Sequence, residues 1–408
     1  MNRPVVIVDP LSSGIELAPA FRARDIPAIA ITLINKEWPE FGSKIQASDF
    51  IEIIPEQPDL LKLIKKYNPI AIIPGTEEGI SLAEHLTAVL TPEFANDPKT
   101  SLHRSHKALM QKTLEEAQVP ALKTMHSSLE SEAEAWLKEN DLQDSPLIIK
   151  PPRSSGSENV FHIPAKGNWR KAFNQILTEP SVISGKRSES VVIQELAVGV
   201  EFAVGTVSAH GKHYLTHLIK YNKTNSGERR TVFDHVEFVS FNKETLGDLF
   251  EYTQKTLNAL GIRFGAAHTE IMLTAKGPRF IETSSRMIGG PVVGFAREAT
   301  GSSQVDKLVE LYADGDVITK EYILRKTVVP VFLKALNQGT ALNVEVLDGI
   351  SQLPTLLSKH IWIKNGDLVP QTVDYLTSIG IIGLAGDRDS IFLDYKKIRS
   401  MESKLEFR

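Results

Sequence analysis

The sequence predicts a mixed α/β and α+β chain: an N-terminal parallel sheet, a middle region of strands and helices, and a small β-rich C-terminal domain. Three observations carry that expectation. Short apolar runs alternate with helix-periodic segments over roughly the first 90 residues. Two strand runs, His268–Leu273 and Arg279–Ser284, flank the turn residues Thr274-Ala275-Lys276-Gly277. After about residue 320, glycines at 339, 349, 366, 380 and 386 punctuate strand-like stretches. A chain of 408 residues exceeds one compact core and implies two to four domains.

In chain order, Val5–Val8 is a continuous apolar run ended by Asp9-Pro10, as suits a strand buried on both faces. Leu11-Ser12-Ser13-Gly14 follows, then a helical pattern at Ile15, Leu17, Ala18 and Phe21 and a strand at Ala28–Leu33. Asp59–Lys66 is expected as helix, Ile70–Ile73 as strand, and Pro74-Gly75-Thr76-Glu77-Glu78-Gly79 as a loop entering another helix. Loops at the carboxyl ends of such strands border the binding crevice. Ser12-Ser13-Gly14 and Gly75-Thr76-Glu77 lie there, although each alone reads equally well as a turn, and neither is a dinucleotide fingerprint. The Pro-, Asn-, Asp- and Thr-containing segment Thr91–Thr100 places a boundary near residue 100. Beyond it come a helix at Ser105–Ala117 and strands at Leu147–Lys150, Val191–Leu196, Glu201–Ser208 and His213–Tyr221. A polar stretch, Asn222–Arg230, and an amphipathic helix, Leu246–Leu260, complete the middle region.

Composition removes several function classes. Hydrophobic residues make up 42% and charged residues 24%, ordinary for a soluble enzyme. A net charge of −4 without a basic run gives no reason to expect nucleic acid. The chain has no cysteine, so disulfides, thiolate zinc and a cysteine nucleophile are excluded, and any metal should be a hard cation held by oxygen. The N-terminal apolar run is too short for a signal peptide and no segment approaches a membrane span. No membrane partner is expected, and a cytoplasmic location follows by default.

If the hairpin pairs symmetrically, Glu270 lies opposite Glu282. Strand alternation then gathers His268, Glu270, Glu282, Ser284 and Arg286 on one face, with Ile271, Leu273 and Ile281 turned toward a core. Facing carboxylates repel unless a cation lies between them. Two acids with an arginine just beyond suit a magnesium ion on phosphate oxygens, whereas an isolated acid pair more often faces only water. Lys150, at the end of an apolar strand and followed by Ser154, Ser155, Gly156 and Ser157, has the elements of a polyphosphate grip without the P-loop order; a mobile surface loop fits those residues as well. Gln194-Glu195-Leu196-Ala197 occupies a strand-to-loop crossing where backbone could meet an adenine edge, and Glu201 could accept from ribose hydroxyls; both acids also suit exposed strand ends.

The order of these pieces is distinctive: a lysine on a helix, a lysine before a Ser/Gly loop, Q-E-x-x-x-G-x-E, H-x-E, E-x-S-x-R, Gly-Gly. In that order the chain resembles the ATP-grasp superfamily over nearly its whole length. The resemblance implies a Rossmann-like domain (1–100), ATP bound between two α+β subdomains (101–195 and 196–320), and a β-rich domain (321–408). It implies Lys107 and Lys150 on the ATP phosphates and Ser154, Ser155, Gly156 and Ser157 as a loop over them. Gln194, Glu195, Leu196 and Ala197 match the adenine hinge and Glu201 the ribose acid. Glu270 and Glu282 match the ligands of magnesium, for which manganese can substitute, and Arg286 the transition-state arginine. Ser284 stands where much of the superfamily has Asn, which leaves more of the metal shell to water and phosphate. His268-Thr269-Glu270, Val-Asp-Pro-x-Ser-Ser-Gly and Pro-Gly-Thr-Glu look like the L-amino acid ligases, which form dipeptides.

That resemblance implies an aminoacyl phosphate made from one amino acid and ATP, then attacked by the amine of a second. Arg286, with the amides of Gly289 and Gly290, would meet the oxyanion. His268 either orients substrate or packs as an ordinary strand histidine. Lys223 falls where the family carries a substrate-covering loop, but reads more readily as a solvated loop lysine. A carboxylase-type or purine-pathway ligase is the nearest rival, though no biotin-accepting Met-Lys is present. A non-catalytic ATP-binding module is the rival from another class. Neither the amino acids joined nor the oligomeric state, a homodimer included, can be derived from the sequence.

Overall fold

The computed structural model describes residues 2–33, 45–182, 185–226 and 229–408. Strands β1 (Val5–Val8), β2 (Ala28–Thr32), β3 (Glu52–Pro55) and β4 (Ile72–Pro74) form a parallel sheet of order β3-β2-β1-β4. Helices α1 (Leu17–Arg22), α2 (Leu60–Lys65) and α3 (Ile80–Leu90) connect and follow these strands. β1 is central, and all four of its residues are buried, as its unbroken apolar run requires. β3 was not anticipated, because only Ile54 of Glu-Ile-Ile-Pro is buried on this edge strand.

A second, antiparallel sheet is built from β5 (Thr124–Ser127), β6 (Leu147–Lys150), β7 (Phe161–Ile163) and β8 (Val191–Glu195), in the order β5-β8-β6-β7. Helices α4 (Lys107–Glu116), α5 (Glu130–Glu139) and α6 (Trp169–Thr178) accompany it. The apolar faces of α5 and α6 close over it, with Phe173 and Ala133 fully buried.

The third sheet has eight strands. β9 (Gly199–Ala209), β10 (Lys212–Ser226), β11 (Arg229–Phe238), β12 (Gly265–Thr274), β13 (Gly277–Ser284), β14 (Thr327–Leu333), β16 (Leu356–Ile361) and β18 (Gly380–Gly386) run in the order β13-β12-β9-β10-β11-β14-β18-β16. The two-residue strands β15 (Gly339–Thr340) and β17 (Leu368–Val369) pair separately. Helices α7 (Lys243–Leu246), α8 (Leu249–Ala259), α9 (Val292–Thr300), α10 (Gln304–Val309) and α11 (Arg388–Glu402) complete the chain. One expectation is corrected: Asn222–Ser226 belongs to β10 rather than to a loop. The β-rich C-terminal region joins the main sheet through His235↔Val331 and also carries the 15-residue helix α11.

The β12–β13 hairpin is the element that matters most. Glu270 does pair with Glu282 and His268 with Ser284, but the turn is tighter than expected, since Thr274 pairs with Gly277. A bulge between Glu270 and Ile271 absorbs the one-residue difference, so Phe280 rather than Ile281 stands opposite Ile271. Phe280 is fully buried, and Ile281 instead lines the cavity below. The backbone of Phe280, on this bulged edge strand, is satisfied by side chains from two helices. Its amide donates to Tyr252 Oη at 2.9 Å and its carbonyl accepts from Gln111 Nε2 at 2.8 Å.

Candidate active site

One cavity, between the second and third sheets, is lined by Lys107, Lys150, Ser154–Ser157, Gln194–Ala197, Glu201, Lys223, His268, Glu270, Glu282, Arg286 and Gly289. Every sequence-expected site residue except Gly290 therefore borders a single space. Gly290 differs because its amide donates to Ser12 Oγ at 2.7 Å, which removes it as a free oxyanion donor.

The lysines come from different elements. Lys107 opens α4, and its amide bonds the carbonyl of Pro152 at 2.9 Å, tying the helix start to the Ser/Gly loop. Its Nζ donates to the Ser154 carbonyl at 2.6 Å and lies 3.2 Å from Glu282 Oε2. Lys150 ends β6, where Nζ donates to Gln194 Oε1 at 3.0 Å. Gln194 also donates to Thr124 Oγ1 at 2.9 Å, so its side chain holds a lysine in place rather than facing a base. Glu195 is similarly engaged, accepting from the Lys123 amide at 2.9 Å.

Burial and the nearby Lys107 lower the Lys150 pKa to about 8, against the opposing pull of Glu282. Because the ammonium form is the one that attracts phosphate, affinity for a non-hydrolysable ATP analogue should fall as pH rises above about 8. Titration calorimetry between pH 7 and 9.5 checks this (the pH range is roughly one unit below to one and a half above that value). Lys150→Arg, which stays charged throughout, should flatten the profile.

Glu270 and Glu282 face each other across the strand pair, and among the described residues no cluster of three or more His, Asp or Glu side chains forms a metal site. Two oxygen donors with no third protein ligand fit a magnesium ion whose remaining positions belong to phosphate and water. Burial raises the Glu270 pKa, but His268 and Lys223 outweigh it, and the carboxyl stays below its ordinary range. His268 Nε2 lies 3.5 Å from Glu270 Oε1 and 3.4 Å from Tyr221 Oη, while its buried Nδ1 has no partner.

Lys223 is a strand residue on β10, opposite Phe233, and not a solvated loop lysine. Its ammonium lies 2.7 Å from Glu201 Oε1 and stacks over the rings of Tyr221 and Phe233 at 5.0 and 4.7 Å. Any ribose hydroxyl reaching Glu201 would share it with that lysine.

Glu77, in a loop expected to border the crevice, lines the cavity. Gly75 lets its loop press against β1's end, where a Cβ would lie 2.3 Å from the Asp9 carbonyl oxygen. Thr76 Oγ1 then donates to Asp9 Oδ2 at 2.5 Å, and Glu77 projects from the N-terminal sheet into the cavity. There Glu77 Oε2 accepts from the Ser284 hydroxyl and from Arg286 Nε at 3.0 Å. The serine that replaces the expected asparagine is thus committed to Glu77.

A Ser/Gly loop, two lysines and two facing acids lie between an antiparallel four-stranded sheet and a larger one; residues 143–294 match the ATP-grasp domain family, and the chain carries the ATP-grasp fold. Over 98% of its length and 96% of its relative's, it is 25% identical to dapdiamide A synthase of Enterobacter agglomerans. Its fold is similar to that of an L-amino acid ligase from Bacillus licheniformis (TM-score 0.75, 14% identity, 100% of this chain and 98% of that one). It is also similar to carboxyaminoimidazole ribonucleotide synthase from Aspergillus clavatus complexed with ATP (TM-score 0.73, 13% identity, 99% of both chains).

Proposed function

We propose that this protein is an ATP-dependent carboxylate–amine ligase that joins the carboxylate of one L-amino acid to the amine of a second, releasing ADP and phosphate. The observation that carries the reading is the convergence of Glu270, Glu282, Lys107, Lys150 and Arg286 on one cavity. The likeness to an amide-forming type of relative along the full chain supports it. Magnesium held by Glu270 and Glu282 would supply charge neutralisation at the phosphates. Lys107 and Lys150 align the triphosphate, while Ser154–Ser157 cover it. A carboxylate oxygen of the donor attacks the γ-phosphorus, the bond to the bridging oxygen breaks, and ADP leaves. The acceptor amine then attacks the acyl carbon, the acyl–phosphate bond breaks, and the amine gives up a proton. Arg286, with the Gly289 amide, stabilises the tetrahedral oxyanion. His268, whose Nε2 lies 3.5 Å from Glu270 Oε1, orients that carboxylate and the substrate beside it.

A phosphate-release screen over all amino-acid pairs, with mass spectrometry of products, tests this. Release that requires a pair and yields a mass of both amino acids less one water is the expected result. Bicarbonate-driven release without amino acids would instead mark a carboxylase-type enzyme, and ATP binding without any release would mark a binding module.

A further inference from the structure

We propose that the donor amino acid carries a bulky apolar side chain, held in an aromatic pouch at one end of the cavity; this deepens the ligase reading above and rests on it. The pouch is walled by Phe233 of β11, Phe332 of β14, Tyr375, Ile219 of β10, Ile288 and Val292. Its elements are not those of the adenine hinge, which has apolar neighbours of its own in Leu122, Ile148 and Met272.

Three features make it a receptor rather than slack in the core. First, its walls are rigid. The Phe233–Phe332, Phe332–Tyr375 and Phe233–Tyr375 ring centroids are 5.3, 5.9 and 6.2 Å apart, so three rings from separate segments brace one another. Second, its walls are aromatic and aliphatic, the Tyr375 hydroxyl apart. The nearest ammonium, Lys223 over the Phe233 ring, is already paired with Glu201 at 2.7 Å. A charged side chain placed in the pouch would lose its hydration among aromatic and aliphatic walls. Third, it is blind: Ile219, Phe332, Val292, Ile288 and Phe233 are 0, 3, 5, 6 and 8% exposed, so access runs through the polar cavity.

The last feature selects the donor over the acceptor. The donor must be seated before phosphoryl transfer, whereas the acceptor enters once the acyl phosphate exists. A dead-end pouch beside Arg286 and Gly289, where the acyl carbon is proposed to lie, serves the substrate seated first. Pockets of this kind discriminate by about 10–200-fold per methylene.

The test uses the full chain, competing donors in paired reactions, and tandem mass spectrometry to read which residue is N-terminal in the product. Leucine, methionine or phenylalanine in the N-terminal place, with kcat/KM about 100-fold above alanine, is expected. Aspartate and lysine donors should be slower still. Val292→Phe, which fills the pouch, should lower leucine-donor kcat/KM by about tenfold or more relative to alanine. Its affinity for an ATP analogue reports that the fold is intact, and Val292→Ile should move the ratio the same way by less. Small or charged donors winning, apolar residues confined to the acceptor place, or an unchanged donor order in both folded variants would overturn the pouch while leaving the ligase reading in place. Phosphate release by no pair at all would overturn both.

Discussion

Glu282→Gln is expected to lower phosphate release by roughly 10²–10³-fold, the several kcal/mol that a phosphoryl-transfer metal supplies. The substitution keeps volume and hydrogen-bonding capacity but removes one of two charges that face each other across β12 and β13. Glu270 alone would hold a divalent ion weakly, so the magnesium concentration for half-maximal rate should rise as well. Stability separates this from a structural role. The Glu282 side chain is 31% exposed, and Lys107, 3.2 Å away, keeps its bond to the Ser154 carbonyl when the charge is removed. Repulsion from Glu270 is relieved at the same time. The melting temperature without nucleotide should therefore change little. A near-normal rate in Glu282→Gln would remove the metal role from this residue.

The acid pair could be found in the sequence because strand alternation and hairpin symmetry are local. The symmetric register was nevertheless right at Glu270 for an incomplete reason. The shorter turn and the bulge cancel at that position, and they do not cancel at Ile281. The bulge depends on Gln111 and Tyr252, which approach from helices 169 and 28 residues away. No local pattern encodes that support. The Glu77 loop was legible at the crevice, but its partners were not: Ser284 and Arg286 lie 207 and 209 residues downstream. Locally, Pro-Gly-Thr-Glu-Glu-Gly has the composition of any turn.

Lys223 shows a different failure. Asn222–Arg230 is polar, and polarity suggests a loop, yet Asn222, Lys223, Thr224 and Ser226 pair with β11 across two register shifts. The lysine is polar because it faces Glu201 inside the cavity, not because it faces water. Gly290 shows the limit of motif transfer, since the Gly-Gly pair was legible but the engagement of one amide by Ser12 was not. What the sequence carried well was the identity and order of charged groups; what it could not carry was which of them neighbouring domains already occupy.

Arg286→Ala is expected to cost on the order of 10²–10³ in kcat, as loss of an oxyanion donor does. The guanidinium is held on two sides, by Glu77 Oε2 at 3.0 Å and by its own neighbour's carbonyl, Met287 O, at 2.6 Å from Nη1. Two fixed contacts aim the remaining donors into the cavity, which is the preorganisation such a group needs. Arg286→Lys should recover little, because an ammonium lacks the planar fork that these two acceptors grip. Glu77→Gln probes the aiming alone. It keeps a hydrogen-bond acceptor near Nε but removes the charge, and should lower kcat by about tenfold, a loss near 1.4 kcal/mol, with the KM for ATP unchanged. If Glu77 acts through Arg286, the double variant Glu77→Gln, Arg286→Ala should be no slower than Arg286→Ala, a coupling read by the cycle of rates. Additive losses would instead give Glu77 a contact of its own with substrate. Near-normal turnover by Arg286→Ala would mean that the oxyanion forms elsewhere, and the assignment of this cavity's chemistry to Arg286 would be wrong.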